Sequence, residues 1–117
     1  MKSLYKEGDM QMYKINFSKP INVHFMGIGG ISMSGLAEIL LKAGFKVTGS
    51  DMKASEITDQ LADMGALINI GQCASNISDN IDLVVYTAAI HPDNEEFKAA
   101  VEKGIPMLTR AQLLGQI

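Results

Sequence analysis

The 117-residue sequence predicts a three-layer α/β/α fold built on a five-stranded parallel sheet. Short apolar segments alternate with segments of helical spacing, which is typical of βαβ units. One apolar segment is nearly continuous, as expected of a central strand covered on both faces. A glycine cluster joins the first apolar segment to the first helix. For this arrangement we predict the strand order 3-2-1-4-5.

The first unit is a strand, a glycine-rich loop and a helix. The strand is predicted over residues 21–26, after Pro20, because proline is tolerated where a strand begins. His24 lies inside this strand and is interpreted as a packed core histidine rather than a ligand. A helix is predicted over residues 30–43, ended by Gly44, from apolar residues at helical spacing: Leu36, Ile39, Leu40 and Ala43.

The remaining elements continue the alternation. Strands are predicted over 46–51, 66–70, 82–87 and 105–108, and helices over 55–64, over 93–103 and from 109 onward. Two helices are expected to begin with capping pairs, Asp93 with Glu96 and Thr109 with Gln112, because residues at this spacing can exchange backbone hydrogen bonds. The pairing accounts for both acids at 93 and 96, so we do not interpret them as a catalytic acid and base.

The domain organisation follows from these elements. Residues 1–18 are polar with no sustained period and are expected to form a loosely held lead-in segment. One domain is predicted over 19–117. The last helix is still under way at Ile117, so we expect the chain to be a truncated part of a larger protein.

Composition excludes several classes of function. The net charge is −3, no basic face is evident and aromatic residues are few, so nucleic acid is not an expected partner. No apolar run approaches the roughly 20 residues that span a bilayer, so no membrane partner is expected. Cys73 is the single cysteine, which excludes an internal disulfide and a multi-cysteine metal site and favours a soluble, cytoplasmic protein. Its thiol is interpreted as inert.

The glycine cluster predicts a phosphate-binding loop. Glycines at positions 27, 29 and 30 permit a turn in which backbone N–H groups converge on an anion, and the following helix directs its positive end to the same place. The dinucleotide fingerprint has a third glycine at position 32, where this chain has Ser32. Met33 is expected to fill the core rather than contact a ligand.

Asp51 is predicted to recognise a ribose. It ends the second strand, 24 residues after Gly27, which in a Rossmann-like βαβ unit places a carboxylate beside the nucleotide crevice. The alternative is a helix cap or a solvated loop carboxylate. The loop and Asp51 together do not separate a nicotinamide cofactor from another diphosphate nucleotide.

The far side of the crevice is expected to come from the end of the fourth strand. Thr87, Ala88 and Ala89 should face the glycine loop and leave room for a ligand, the alternative being tight packing of the strand end. Gln72 follows the third strand and would hydrogen-bond a base edge or be merely solvated. The sequence contains no Walker-type, Gly-x-Ser-x-Gly or His-Glu-x-x-His motif, so this chain is expected to bind rather than catalyse.

Five stretches of sequence carry a resemblance to the Mur ligase family. They are Val23-His-Phe-Met-Gly-Ile-Gly-Gly-Ile-Ser-Met-Ser-Gly-Leu-Ala-Glu38, Gly49-Ser-Asp51, Tyr86-Thr-Ala-Ala-Ile-His-Pro-Asp-Asn94, and Gly104-Ile-Pro with Arg110-Ala-Gln-Leu-Leu114. Over residues 21–117 the chain resembles the amino-terminal domain of members that join L-alanine to UDP-N-acetylmuramate in peptidoglycan biosynthesis.

The resemblance implies a parent enzyme of three domains, which bind the UDP-sugar, ATP and the amino acid. ATP with Mg²⁺ would phosphorylate the muramate carboxylate, and the amine of L-alanine would attack the acyl phosphate. In this chain the family pattern implies no catalytic or metal-binding residue and the following UDP-sugar site: Gly27, Ile28, Gly29, Gly30, Ile31, Ser32, Met33, Asp51, Gln72, Thr87, Ala88 and Ala89.

Two of these positions depart from the family pattern, which usually has glycine in place of Ser32 and often histidine in place of Gln72. Three other interpretations stay open at this point. They are the NAD(P)-binding domain of an oxidoreductase, a nucleotide-sensing regulatory module, and a related ligase that joins a tripeptide to the same UDP-sugar.

Overall fold

A computed structural model of the chain describes residues 12–117. In this part of the chain every predicted helix and strand is present, and apart from the end of the last helix their ends differ from the predicted ones by no more than two residues. The last helix, predicted to be still under way at Ile117, ends at Leu114 with Gly115 as its C-cap. The elements are β1 (Asn22–Met26), α1 (Ile31–Lys42), β2 (Lys46–Asp51), α2 (Glu56–Asp63), β3 (Leu67–Ile70), a 3₁₀ turn (Ala74–Asn76), β4 (Leu83–Tyr86), α3 (Glu95–Glu102), β5 (Met107–Thr109) and α4 (Arg110–Leu114).

The five strands form one parallel sheet in the order β3-β2-β1-β4-β5, which confirms the predicted topology. The central strand is β1, whose Phe25 is in register with Gly49 of β2 and Val85 of β4. The chain leaves β1 toward one edge of the sheet and β4 toward the other. A crevice therefore opens beyond the carboxyl ends of these two neighbouring strands.

Helices cover both faces of the sheet. Val23 and Phe25 of β1 pack in one buried cluster with Leu36 and Leu40 of α1, and Leu61 of α2 and Leu113 of α4 join them. The alternate residue Met26 packs in a second cluster with Ala99 and Ala100 of α3. Because successive side chains of a strand point to opposite faces, the apolar β1 and β4 contribute to both clusters.

The beginning of α3 differs from the predicted one. Its N-cap is Asn94, whose Oδ1 accepts hydrogen bonds from the N–H groups of Glu96 (2.9 Å) and Phe97 (3.0 Å). The predicted pairing of Asp93 with Glu96 is therefore wrong. Asp93 is exposed, and the Glu96 side chain is fully buried instead of folding back on the cap. Adjacent Asp and Asn are both good N-caps, so the sequence pattern does not fix which one begins the helix.

The other expected cap and the predicted helix end are as anticipated. Thr109 and Gln112 form a reciprocal capping box at the start of α4. Gly44 follows α1 with φ +93°, the left-handed conformation that favours glycine at a helix end.

Residues 12–18 have no regular secondary structure but contact the domain. The Gln116 side chain donates from Nε2 to the carbonyl of Tyr13 (2.8 Å) and accepts at Oε1 from the N–H of Ile15 (2.8 Å). Both residues also pack against the first core cluster. Residues 1–11 lie outside the described part of the chain, and the domain boundary at residue 18 stays a prediction. Across residues 12–117, we find no helix with the length and apolar character to cross a bilayer.

Candidate functional site

The loop between β1 and α1 is fixed to β2 by its backbone and by one side chain. The N–H groups of Gly27 (φ +81°) and Ile28 both donate to the carbonyl of Ser50, at 2.8 and 2.9 Å. The Ile28 side chain is fully buried in the core beside Gly49. A Cβ on Gly49 would lie 2.4 Å from Ile28 Cδ1. The glycine at this position of β2 therefore leaves the space that the Ile28 side chain occupies.

The next two amides of the loop are also occupied within the protein. Gly29 N–H donates to Asp51 Oδ2 (2.8 Å), and Gly30 N–H donates to the carbonyl of Gly27 (3.1 Å). The sequence-based expectation was that the amides of these three glycines converge on an anion. In the structure they instead hold the loop in its turn and position it against β2.

The open amides belong to the first turn of α1. Within residues 12–117, the N–H groups of Ile31, Ser32 and Met33 have no hydrogen-bond acceptor, and the N-cap Gly30 has no side chain to provide one. Unsatisfied first-turn amides carry the positive end of the helix dipole and make a helix start suitable for an anion. The side chain of Met33 is buried, as predicted, while its backbone borders the site.

A cavity of about 650 Å³ lies beyond this helix start, at the carboxyl edge of the sheet. Its lining combines the loop after β1 and the start of α1 with residues at or just after the ends of β2, β4 and β5: Gly27, Gly29, Gly30, Ile31, Ser32, Met33, Asp51, Lys53, Ser55, Thr87 and Arg110. Eight of the twelve residues predicted for the site are in this set.

The other four predicted residues do not line the cavity. Ile28 is buried beneath it. Ala88 and Ala89 lie exposed in the turn after β4, beyond Thr87. Gln72 is half-buried and accepts at Oε1 a hydrogen bond from Nδ2 of Asn94 (2.9 Å), which joins it to the N-cap of α3. Their contact with a ligand stays a prediction.

Asp51 lies against the glycine loop at the end of β2. Its Oδ2 accepts from Gly29, and its Oδ1 is 3.4 Å from the N–H of Lys53, a long hydrogen bond that leaves acceptor capacity toward the cavity. A Cβ on Gly29 would be 2.8 Å from Asp51 Oδ2, so a side chain here would displace the carboxylate from its present position. Asp51 is not a helix cap, since the N-cap of α2 is Ser55.

Two cationic side chains at the cavity were missed by the sequence analysis. Arg110 begins α4 directly after β5, and Lys53 follows β2. The overall charge of −3 does not indicate where individual cations lie. The signal that could have found Arg110 is its place immediately after a parallel strand, at the edge where the other site residues were already expected.

A buried polar network lies behind the loop, on the face of the sheet that carries α3. Glu96 and His24 are both fully buried, and His24 Nε2 is hydrogen-bonded to Glu96 Oε2. Ser50 Oγ donates to Glu96 Oε1 (2.9 Å), and His24 Nδ1 shares a hydrogen bond with Thr48 Oγ1 (2.6 Å). The interpretation of His24 as a packed core histidine is confirmed.

The described residues contain no group of three or more histidine, cysteine, aspartate or glutamate side chains that could hold a metal ion. Cys73 is exposed, and its Sγ lies 3.2 Å from Ser75 Oγ.

Comparison with solved structures finds two ligases and a dehydrogenase that share the fold of this chain. A murein peptide ligase from Psychrobacter arcticus matches with a TM-score of 0.78 at 27% identity, over 82% of this chain and 20% of that one. A UDP-N-acetylmuramate:L-alanyl-gamma-D-glutamyl-meso-diaminopimelate ligase from Neisseria meningitides matches with a TM-score of 0.76 at 29% identity, over 84% of this chain and 31% of that one. Shikimate dehydrogenase from Aquifex aeolicus, at 19% identity and a TM-score of 0.53, shares the fold alone.

Curated relatives are more similar in sequence. The UDP-N-acetylmuramate–L-alanine ligases of Lachnospira eligens and Agathobacter rectalis are 67% and 66% identical over 106 residues, which is 91% of this chain. The chain spans 23% of the length of each. The model of the family described as "Mur ligase family, catalytic domain" matches residues 22–117. The chain belongs to the Mur ligase family.

Proposed function

We propose that this domain binds the UDP part of UDP-N-acetylmuramate. The observation that carries the proposal is the composition of the cavity. Three open helix amides, a carboxylate with a free acceptor position and two cations border one space of about 650 Å³. This volume suits a nucleotide, and these groups complement a diphosphate joined to a ribose.

The diphosphate is assigned to the start of α1. The amides of Ile31, Ser32 and Met33 would each donate to a phosphate oxygen, and a favourable charge at a helix start contributes about 0.3–1 kcal/mol per interaction at exposed sites. Arg110 and Lys53 add charge-assisted hydrogen bonds, which are roughly twice as strong as neutral ones. The protein carries a net charge of −3, so attraction of the anion depends on these local groups.

The ribose is assigned to Asp51. Because Gly29 already occupies Oδ2, the oxygen that would accept from a ribose hydroxyl is Oδ1. The bond between Gly29 and Oδ2 also fixes the carboxylate relative to the phosphate-binding helix. One side chain thus sets the distance between the sites for the two parts of the nucleotide.

For the whole protein we propose an ATP-dependent ligase that adds L-alanine to UDP-N-acetylmuramate in the cytoplasm. L-alanine ligases are 54–67% identical to this chain, whereas the solved peptide ligases are 27–29% identical, which favours L-alanine over a tripeptide. ATP, Mg²⁺ and L-alanine are assigned to parts of the ligase other than residues 12–117. We expect the 117-residue chain by itself to have no ligase turnover.

Isothermal titration calorimetry with UDP-N-acetylmuramate tests the proposal. We expect saturable binding to the 117-residue chain, and a roughly tenfold higher Kd for Asp51→Ala, since the lost hydrogen bonds are together worth about 1–2 kcal/mol. Asp93→Ala is the matched control, because this exposed carboxylate lies outside the cavity and should leave the Kd unchanged. Absence of binding at millimolar ligand would contradict the proposal, and micromolar binding of NADH would favour an oxidoreductase instead.

A further inference from the structure

The buried network behind the loop joins Glu96 to the loop backbone through a single residue. Glu96 Oε1 accepts from Ser50 Oγ (2.9 Å), and the carbonyl of Ser50 accepts from Gly27 and Ile28 (2.8 and 2.9 Å). Ser50 is paired in register with Met26, the last residue of β1 before the loop. The residue that contacts the buried carboxylate therefore also holds the first two amides of the loop.

The network is not explained by stability alone. Glu96 and His24 have no exposed surface, and a carboxylate removed from water loses solvation that its partners only partly restore. Replacing buried polar pairs by apolar residues is often neutral or stabilising in other proteins. Here the carboxylate is matched by several donors, with Asn76 Nδ2 as a further one at 3.4 Å. Such a set of hydrogen bonds fixes the positions of these side chains more than it adds to the free energy of unfolding.

We propose that Glu96 is a positioning residue for nucleotide binding, which acts through Ser50 on the path of the loop at residues 27–30. This inference rests on the proposed function of the cavity but concerns a residue that does not line it. With the acceptor at Glu96 in place, the Ser50 backbone is held in one orientation. The loop and the start of α1 are then ordered before the ligand arrives, which lowers the entropy lost on binding.

Four substitutions separate positioning from general stabilisation. Ser50→Ala removes the donor and Glu96→Leu removes the acceptor. Glu96→Gln replaces one carboxyl oxygen by an amide nitrogen but keeps an oxygen that Ser50 can bind. Thr48→Val is the matched control. It removes a hydroxyl from the same strand, but this hydroxyl is hydrogen-bonded to His24 and not to the loop.

The experiment measures UDP affinity by calorimetry and the amide NMR signals of Gly27 and Ile28 in each variant. For Ser50→Ala and Glu96→Leu we expect shifted signals and a Kd raised about three- to tenfold, the equivalent of one hydrogen bond. Glu96→Gln and Thr48→Val should bind within about twofold of the original chain. If Glu96→Leu does not fold, the loop signals and UDP affinity of Ser50→Ala, which removes one hydroxyl, decide whether the proposal holds.

The proposal is overturned if Ser50→Ala folds with unchanged loop signals and unchanged affinity. It is also overturned if Thr48→Val weakens binding as much as Ser50→Ala, which would mean a general loss of stability. The loop signals are recorded without ligand, so they test the connection from Glu96 to the loop even if UDP does not bind. Absence of UDP binding with shifted loop signals would contradict only the function proposed for the cavity.

Discussion

Substitution of Gly49 by alanine should disturb the nucleotide loop from beneath. A Cβ at this position would lie 2.4 Å from Cδ1, 2.7 Å from Cβ and 2.9 Å from Cγ2 of Ile28. The Cδ1 contact can be relieved by a side-chain rotation, but the Cβ contact cannot be relieved without movement of the loop backbone. Overpacking of this kind costs about 1–3 kcal/mol. Alanine recovers roughly 0.5–1 kcal/mol of the conformational entropy that glycine loses in a strand.

We therefore expect Gly49→Ala to lower the free energy of unfolding by about 1–2 kcal/mol, measured by urea denaturation. In an Ile28→Ala background two of the three contacts are absent, so the cost of Gly49→Ala should fall by at least about 0.5 kcal/mol, as expected for residues in contact. Gly35→Ala is the control. Its Cβ would meet no atom within 4 Å, and alanine in a helix should stabilise by about 0.5–1 kcal/mol.

A Gly49→Ala variant as stable as the original chain would refute the reasoning. The same holds for a cost that is unchanged when Ile28 is truncated, because the close contact would then not be its origin.

Three further predictions follow from the contacts. Gly29→Ala should weaken UDP binding measured by calorimetry, because its Cβ would lie 2.8 Å from Asp51 Oδ2; unchanged affinity would contradict the role of this contact. The hydrogen bond and charge of Lys103 lower the pKa of the Asp79 carboxyl below its ordinary 3.8, so this pair stabilises the fold at neutral pH and stops doing so as pH falls through the lowered pKa. An NMR titration should show the Asp79 midpoint rise in Lys103→Met. Gln116→Ala should lower the free energy of unfolding by about 1–2 kcal/mol, since two hydrogen bonds to the segment before β1 are lost.

The fold could be predicted because its signals are local in the sequence. Apolar periodicity located each strand and helix, and glycines such as Gly44 marked the helix ends. The parallel order followed from the alternation of elements and from the glycine loop after the first strand. The predicted N-cap of α3, Asp93, was wrong, because Asn94 caps the helix. The two residues are adjacent and cap helices about equally well, so the sequence does not distinguish them.

The candidate site could be located but not resolved into its contacts. Which loop amides remain open depends on the Ser50 carbonyl and the Asp51 carboxylate, and these acceptors come from another strand. Arg110 reaches the cavity only through the placement of β5 in the sheet. The same applies to Glu96, whose partners His24 and Ser50 are far from it in sequence. Contacts of this kind carry no periodic or spacing signal.

The central claim is that the start of α1 binds the diphosphate of a UDP-sugar. It is tested most directly by an NMR titration of the amide signals with UDP and, in parallel, with uridine. We predict that UDP shifts the signals of Ile31, Ser32 and Met33 in a saturable manner, and that uridine at the same concentrations shifts them far less. Unchanged signals with millimolar UDP, or equal shifts with uridine, would contradict the account.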